Sequence, residues 1–177
     1  MILLGVDPGS IRTGWGAIQS DGRHQRLIEA GVLAPPVRLP LADKLRFIHE
    51  GLLALIARLR PEAMAVEDLF HARNTRSALV LGHVRGVALL AGAQAGLPVH
   101  AFAPATVKAQ VAGFGRAEKH QVALMVSRLL SLERDAAPGD ASDALAVALC
   151  LACQLPASPI AALVAEAAAT RRVRRRA

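Results

Sequence analysis

The sequence predicts an α/β domain, and three observations carry that expectation. A continuous apolar run, Ile2 to Val6, stops at Asp7-Pro8-Gly9. A second short run, Ala63 to Val66, stops at Glu67. Between them, apolar residues recur at steps of three and four: Leu41, Leu45, Ile48, Leu52, Leu55, Ile56 and Leu59. That spacing is an amphipathic helix. Strand, crossover helix and strand form a parallel pair, and consecutive elements usually pack together.

The first run suits a strand covered on both faces at the middle of a sheet. Pro8 removes a backbone donor and Gly9 frees the dihedrals, so the chain turns. Thr13 to Ile18 returns as a second strand, and a turn at Asp21-Gly22 leads to a third within Arg23 to Ala34. Pro35, Pro36 and Pro40 interrupt regular structure before the helix, and Pro61 follows it. Ser77 to Ala95 reads as a long helix with Leu79, Leu81, Val84, Val87, Leu90 and Ala91 in the core. Gly82, Gly86 and Gly92 weaken it by about 1 kcal/mol each relative to Ala. Such glycines suit close approach to another helix or backbone, including one across a dimer interface. Val99 to Phe102 is a strand, Pro104 opens a short helix, and Ala117 to Leu132 and Ala144 to Leu155 are further helices. Residues 1–155 form the expected domain, and 156–177 an Ala/Arg-rich, partly disordered tail.

The 177 residues suit one domain with a real core, and the 53% apolar and 20% charged fractions indicate a folded chain. Aromatics are only 3%, so aliphatic side chains and Ala must fill that core. No apolar run reaches the length of a membrane span. No secretion signal opens the chain, which makes the cytoplasm the default. The net charge is +7, and the tail holds Arg171, Arg172, Arg174, Arg175 and Arg176, so the rest carries 7 − 5 = +2. The whole chain suits a polyanion partner, but the folded body need not be strongly basic. Cys150 and Cys153 stand in one C-x-x-C inside an apolar helix. Without a second ligand pair, two small core residues are expected there.

Acids sit at the ends of elements. Asp7 ends a strand, where ligands of open α/β sheets gather, although Asp also serves simply to cap a turn. Glu67 would lie at the same end of the neighbouring strand. Alternation puts Asp68 on the opposite face, as a solvated or capping group. Asp140 and Asp143 begin the last helix, where acids either complement the helix dipole or, three apart, point at one site. Oxygen-only ligands suit a hard cation such as Mg²⁺ or Mn²⁺. Carboxylates converging in a cleft repel one another strongly without one. Two ions about 3.5–4 Å apart could hold a scissile phosphate. Lys108 and Lys119 read by themselves as surface lysines, and Phe70 as core.

Several stretches, in order, resemble the RuvC family of bacterial Holliday-junction resolvases. They are Leu4-Gly-Val-Asp-Pro-Gly9 with Thr13-Gly-Trp-Gly16, Val66-Glu-Asp-Leu-Phe70, Ser77-Ala-Leu79 with Gly82, and Arg85-Gly-Val87. Val107-Lys108, Gly115-Arg-Ala-Glu-Lys119 and Asp140-Ala-Ser-Asp-Ala-Leu-Ala146 continue the match. The resemblance implies an RNase H-like fold, a five-stranded mixed sheet flanked by helices. It implies a homodimer that nicks opposing strands of a four-way DNA junction in recombination and repair. Asp7, Glu67, Asp140 and Asp143 match the family's catalytic, metal-binding acids, with Mg²⁺ (Mn²⁺ substituting), two ions per site. Lys119 matches a lysine near the catalytic centre and Lys108 one that binds DNA. Phe70 matches an aromatic that stacks at the junction, and Arg73, Asn74 and Arg76 share its loop. Cooperation with the RuvA–RuvB branch-migration complex is likewise implied.

Other functions are separable. Actin-like and sugar-kinase folds also open on a strand and Asp-x-Gly, but they are longer and repeat the motif, which occurs once here. A binding-only junction protein would not nick with Mg²⁺. A ribonuclease would prefer RNA–DNA hybrids.

Overall fold

A computed structural model of the chain describes residues 1–68, 75–132 and 139–155. β1 (Ile2–Asp7) and β2 (Thr13–Ser20) form an antiparallel hairpin, and β2 continues antiparallel into β3 (Gln25–Leu33). Asp21 shapes the second turn by accepting hydrogen bonds from the Arg23 and His24 backbone N–H groups at 2.8 and 2.7 Å, and Gly22 takes φ +92°. α1 (Leu41–Leu59) crosses to β4 (Ala63–Glu67), which lies parallel to β1. α2 (Thr75–Gln94) leads to β5 (Val99–Phe102), parallel to β4. α3 (Pro104–Ala112), α4 (Lys119–Leu129) and α5 (Gly139–Gln154) follow. The five-stranded mixed sheet has the order β3-β2-β1-β4-β5, so β1 is central.

Strand alternation sorts the side chains into two layers. Leu4, Val6, Trp15, Met64 and Val66 face Ile48, Leu52, Val84 and Ala88 from α1 and α2. Leu3, Ile18, Ala63 and Ala65 face Leu145 and Ala148 of α5, with Val107 of α3 and Val126 of α4. Asp7 and Glu67 have the same parity as Leu3 and Ala65, so both acids belong to the α5 face.

α5 is buried along almost its whole circumference, from Ala141 to Ala152. A helix apolar on every side needs a packed partner all round. It lies unusually close to the sheet because glycine occupies the facing strand positions. A Cβ on Gly5 would stand 2.1 Å from the Ala144 carbonyl oxygen, and one on Gly14 1.9 Å from that of Asp140. Backbone thus meets backbone, and the first turn of α5 is set beside the end of β1.

Four expectations change. The helix expected over 117–132 occupies Lys119–Leu129, because Glu118 stays extended (φ −76°, ψ 158°) and donates its N–H to Gln121 Oε1 at 2.9 Å. α2 does not bury every apolar residue: Leu79 and Leu90 are 61% and 51% exposed. Val84, Ala88, Ala91 and Gly92 are fully buried and Val87 and Leu89 pack against them in part, since one face of the helix meets the sheet layer and α1. α2 is also long and apolar enough by length and composition to cross a membrane, which no uninterrupted run in the sequence suggests. Its His83 and Arg85 break the run while leaving the helix apolar on average. Finally, Cys150 is core but Cys153 is exposed, because it lies in the last turn of α5 and points off the packed face.

Candidate metal centre

Asp7 ends β1 and Glu67 ends β4, and the parallel register pairs Val6 with Val66, so the two acids are neighbours at one sheet edge. Their side chains hydrogen-bond each other. α5 supplies Asp140 and Asp143 from its first turns. Asp7, Asp140 and Asp143 each offer a ligand atom, and these atoms all lie within 4.8 Å of one another. All three are half-buried. The set is oxygen-only, compact and partly desolvated, which fits a hard divalent cation.

The electrostatics agree. Burial, reinforced by the Asp143 charge, pushes the Asp7 carboxyl up to about 6. Glu67 rises further, to about 8, through burial, the Asp7 charge and the hydrogen bond it makes with Asp7. The Lys108 charge pulls weakly in the other direction at Glu67. Without a cation, the pair retains a proton that a metal would replace.

Two cationic side chains offset the remaining charge. Lys119, at the start of α4, places Nζ 2.6 Å from Asp143 Oδ2. Its own pKa is raised, first by that hydrogen bond and then by the Asp143, Asp140 and Asp7 charges. Arg12 Nε lies 2.5 Å from Asp140 Oδ2. The sequence offered no signal for Arg12 beyond its place in the turn, since its partner lies 128 residues away.

The raised values define a pH dependence. A carboxyl whose folded pKa exceeds its unfolded pKa favours folding while protonated. For Asp7 and Glu67 that stabilisation is complete below their unfolded values, 3.8 and 4.5, and is lost as pH rises through about 6 and about 8. The metal-free protein should therefore lose melting temperature between pH 5 and pH 8, and Glu67→Gln should make that loss smaller by deleting the Glu67 share while leaving that of Asp7. Thermal melts in chelator check this, and equal slopes for both proteins would refute it.

The structure clusters Asp7, Asp140 and Asp143, joins Glu67 to them through Asp7 and Lys119 through Asp143, and lets the Lys108 charge be felt at Glu67. Asp68 turns to the other face, as alternation requires, but is not simply solvated: Arg85 Nε of α2 stands 3.2 Å from its Oδ1. Arg76 is exposed at the start of α2. Phe70, Arg73 and Asn74, and the tail, lie outside the described residues.

Residues 3–151 match the family profile described as crossover junction endodeoxyribonuclease RuvC. The crossover junction endodeoxyribonuclease RuvC of Chloroflexus aurantiacus is 47% identical over 156 residues, covering 88% of this chain and 95% of that protein. Its Koribacter versatilis counterpart is 48% identical over 151 residues, covering 85% and 91%. Thermus thermophilus RuvC, solved in complex with a Holliday junction substrate, superposes with a TM-score of 0.80 at 38% identity, over 85% of this chain and 92% of that one. A mixed sheet with carboxylates gathered at its central strand ends, and this likeness across nearly its full length, make the chain a member of the RuvC family of crossover junction endodeoxyribonucleases.

Proposed function

We propose that the chain binds four-way DNA junctions and resolves them by divalent-metal-dependent nicking of two opposing strands, in recombination and repair. The observation that carries this is the convergence of Asp7, Asp140 and Asp143 within 4.8 Å, with Glu67 hydrogen-bonded to Asp7. These four acids are assigned as the catalytic and metal-holding groups, for Mg²⁺ with Mn²⁺ substituting, and for two ions. Bound there, the ions supply an activated water and stabilise the leaving oxygen. Asp7 and Glu67 would hold such ions as carboxylates, so the proton their raised pKa values favour would have to leave on loading. Lys119 holds Asp143 in place and covers part of its charge. Lys108, Lys119 and Arg76 are assigned to DNA contacts, as are Phe70, Arg73 and Asn74 by resemblance alone. Stacking of a base on Phe70 would be worth about 1–3 kcal/mol.

A homodimer belongs to this proposal, since paired nicks need two sites. The outer face of α2 supports it: Leu79 and Leu90 are exposed, and Gly82 and Gly86 have no neighbour within 4 Å of an added Cβ. Small residues one turn apart let a second helix approach closely. Burying a leucine stabilises by about 1.5–3 kcal/mol. Leu79→Asp combined with Leu90→Asp should give a folded monomer by light scattering, and an unchanged dimer would place the contact elsewhere. Cooperation with RuvA–RuvB and action in the cytoplasm complete the proposal.

The test is cleavage of a mobile four-way junction by purified protein with Mg²⁺, with Mn²⁺ and with chelator. Symmetric metal-dependent nicks are expected. Binding without nicking, or preference for an RNA–DNA hybrid, would overturn the assignment.

A further inference from the structure

Arg12 lies in the turn between β1 and β2. That turn is held tightly: Thr13 Oγ1 donates to the Gly9 carbonyl at 2.8 Å, and a Cβ on Gly9 would stand 2.1 Å from the Arg12 carbonyl oxygen. The Arg12 backbone is therefore fixed beside the first turn of α5. From there its Nε reaches Asp140 Oδ2 at 2.5 Å. Asp140 is one of the three acids whose oxygens cluster within 4.8 Å.

We propose that Arg12 is a positioning residue that competes with the divalent cation for Asp140, and so sets the cation concentration at which the centre fills. The proposal rests on the metal reading above. Three features support competition rather than simple scaffolding. The pair is not sealed in, with the Arg12 and Asp140 side chains 52% and 35% exposed, so the guanidinium can swing away. Asp140 does not depend on Arg12 for its backbone position, because its carbonyl is pressed against Gly14. And Arg12 parallels Lys119, which covers Asp143 at 2.6 Å, so each α5 acid has one protein cation. Removing Arg12 thus leaves the ligand in place and deletes a positive charge that repels an incoming metal.

A half-exposed ion pair is a modest interaction, so removing it should tighten cation binding by about threefold to fivefold. The measurement is Mn²⁺ binding to the DNA-free full chain, read from the free-ion paramagnetic resonance signal. Arg12→Ala should bind more tightly than wild type at low ionic strength, and salt should narrow the difference because it screens the lost charge. Arg12→Lys keeps the charge and should stay near wild type. Arg12→Gln gives the same comparison should the alanine variant lose stability. Unchanged or weaker Mn²⁺ binding in the charge-deleted variants would overturn the proposal. Asp7→Asn separates the two levels: if it too leaves Mn²⁺ binding unchanged, the metal centre itself is misassigned. If Asp7→Asn weakens binding while Arg12→Ala does not tighten it, only the role of Arg12 falls.

Discussion

Asp7→Asn should abolish metal-dependent nicking of a four-way junction while leaving junction binding largely intact. Asp7 lies at the centre of the acid group: it hydrogen-bonds Glu67 and shares the 4.8 Å cluster with Asp140 and Asp143. The amide keeps the shape but removes a charge and a strong oxygen ligand. Charge stabilisation by a bound metal is worth several kcal/mol, and about 4 kcal/mol is roughly a thousandfold in rate. The same substitution should raise the melting temperature of the metal-free protein at neutral pH. Burial and Asp143 push the Asp7 carboxyl up to about 6, so its ionised form is costly in the folded state without a metal. Lost activity with gained stability is the mark of a functional acid rather than a turn cap. Single-turnover cleavage, gel shift in chelator and thermal melts report the three quantities. Normal cleavage by Asp7→Asn would remove Asp7 from the site.

Gly14→Ala should damage activity and stability together. Its Cβ would fall 1.9 Å from the Asp140 carbonyl oxygen and 2.6 Å from the carbonyl carbon, both backbone atoms that cannot rotate aside. Relief requires α5 to move off the sheet. Overpacking of this kind costs about 1–3 kcal/mol or more. The shift also carries Asp140 and Asp143 away from Asp7 and Glu67, and a displacement near 1 Å can cost about a hundredfold in rate. Cleavage by the folded fraction should therefore fall further than the loss of folded protein accounts for. Melting curves and cleavage rates on the same samples test this. Wild-type values for both would mean that α5 is not held by that contact.

Much of the centre was legible from local pattern. Apolar runs ending in Asp7 and Glu67 announce strand ends, and alternation separates Glu67 from Asp68, which the structure pairs with Arg85 on the other face. Spacing alone left Asp140 and Asp143 between capping and ligation. Only the packing of α5 turns them toward Asp7. The outer face of α2 was misjudged because apolar residues at helical spacing say that a helix has a face, not how much of it the domain covers. Arg12 was missed because an ion pair spanning 128 residues leaves no periodic trace.

By itself the chain's order of residues determined which segments are strands and helices, which strands turn back and which cross over, and that acids stand at element ends. These are local matters of dihedral freedom, side-chain period and turn chemistry. The tertiary structure alone decided which acids share an oxygen cluster, which cations shield them and which leucines stay uncovered. Those outcomes depend on distances between segments remote in sequence, and here those distances follow from backbone-to-backbone contact of α5 with glycines in the central strands.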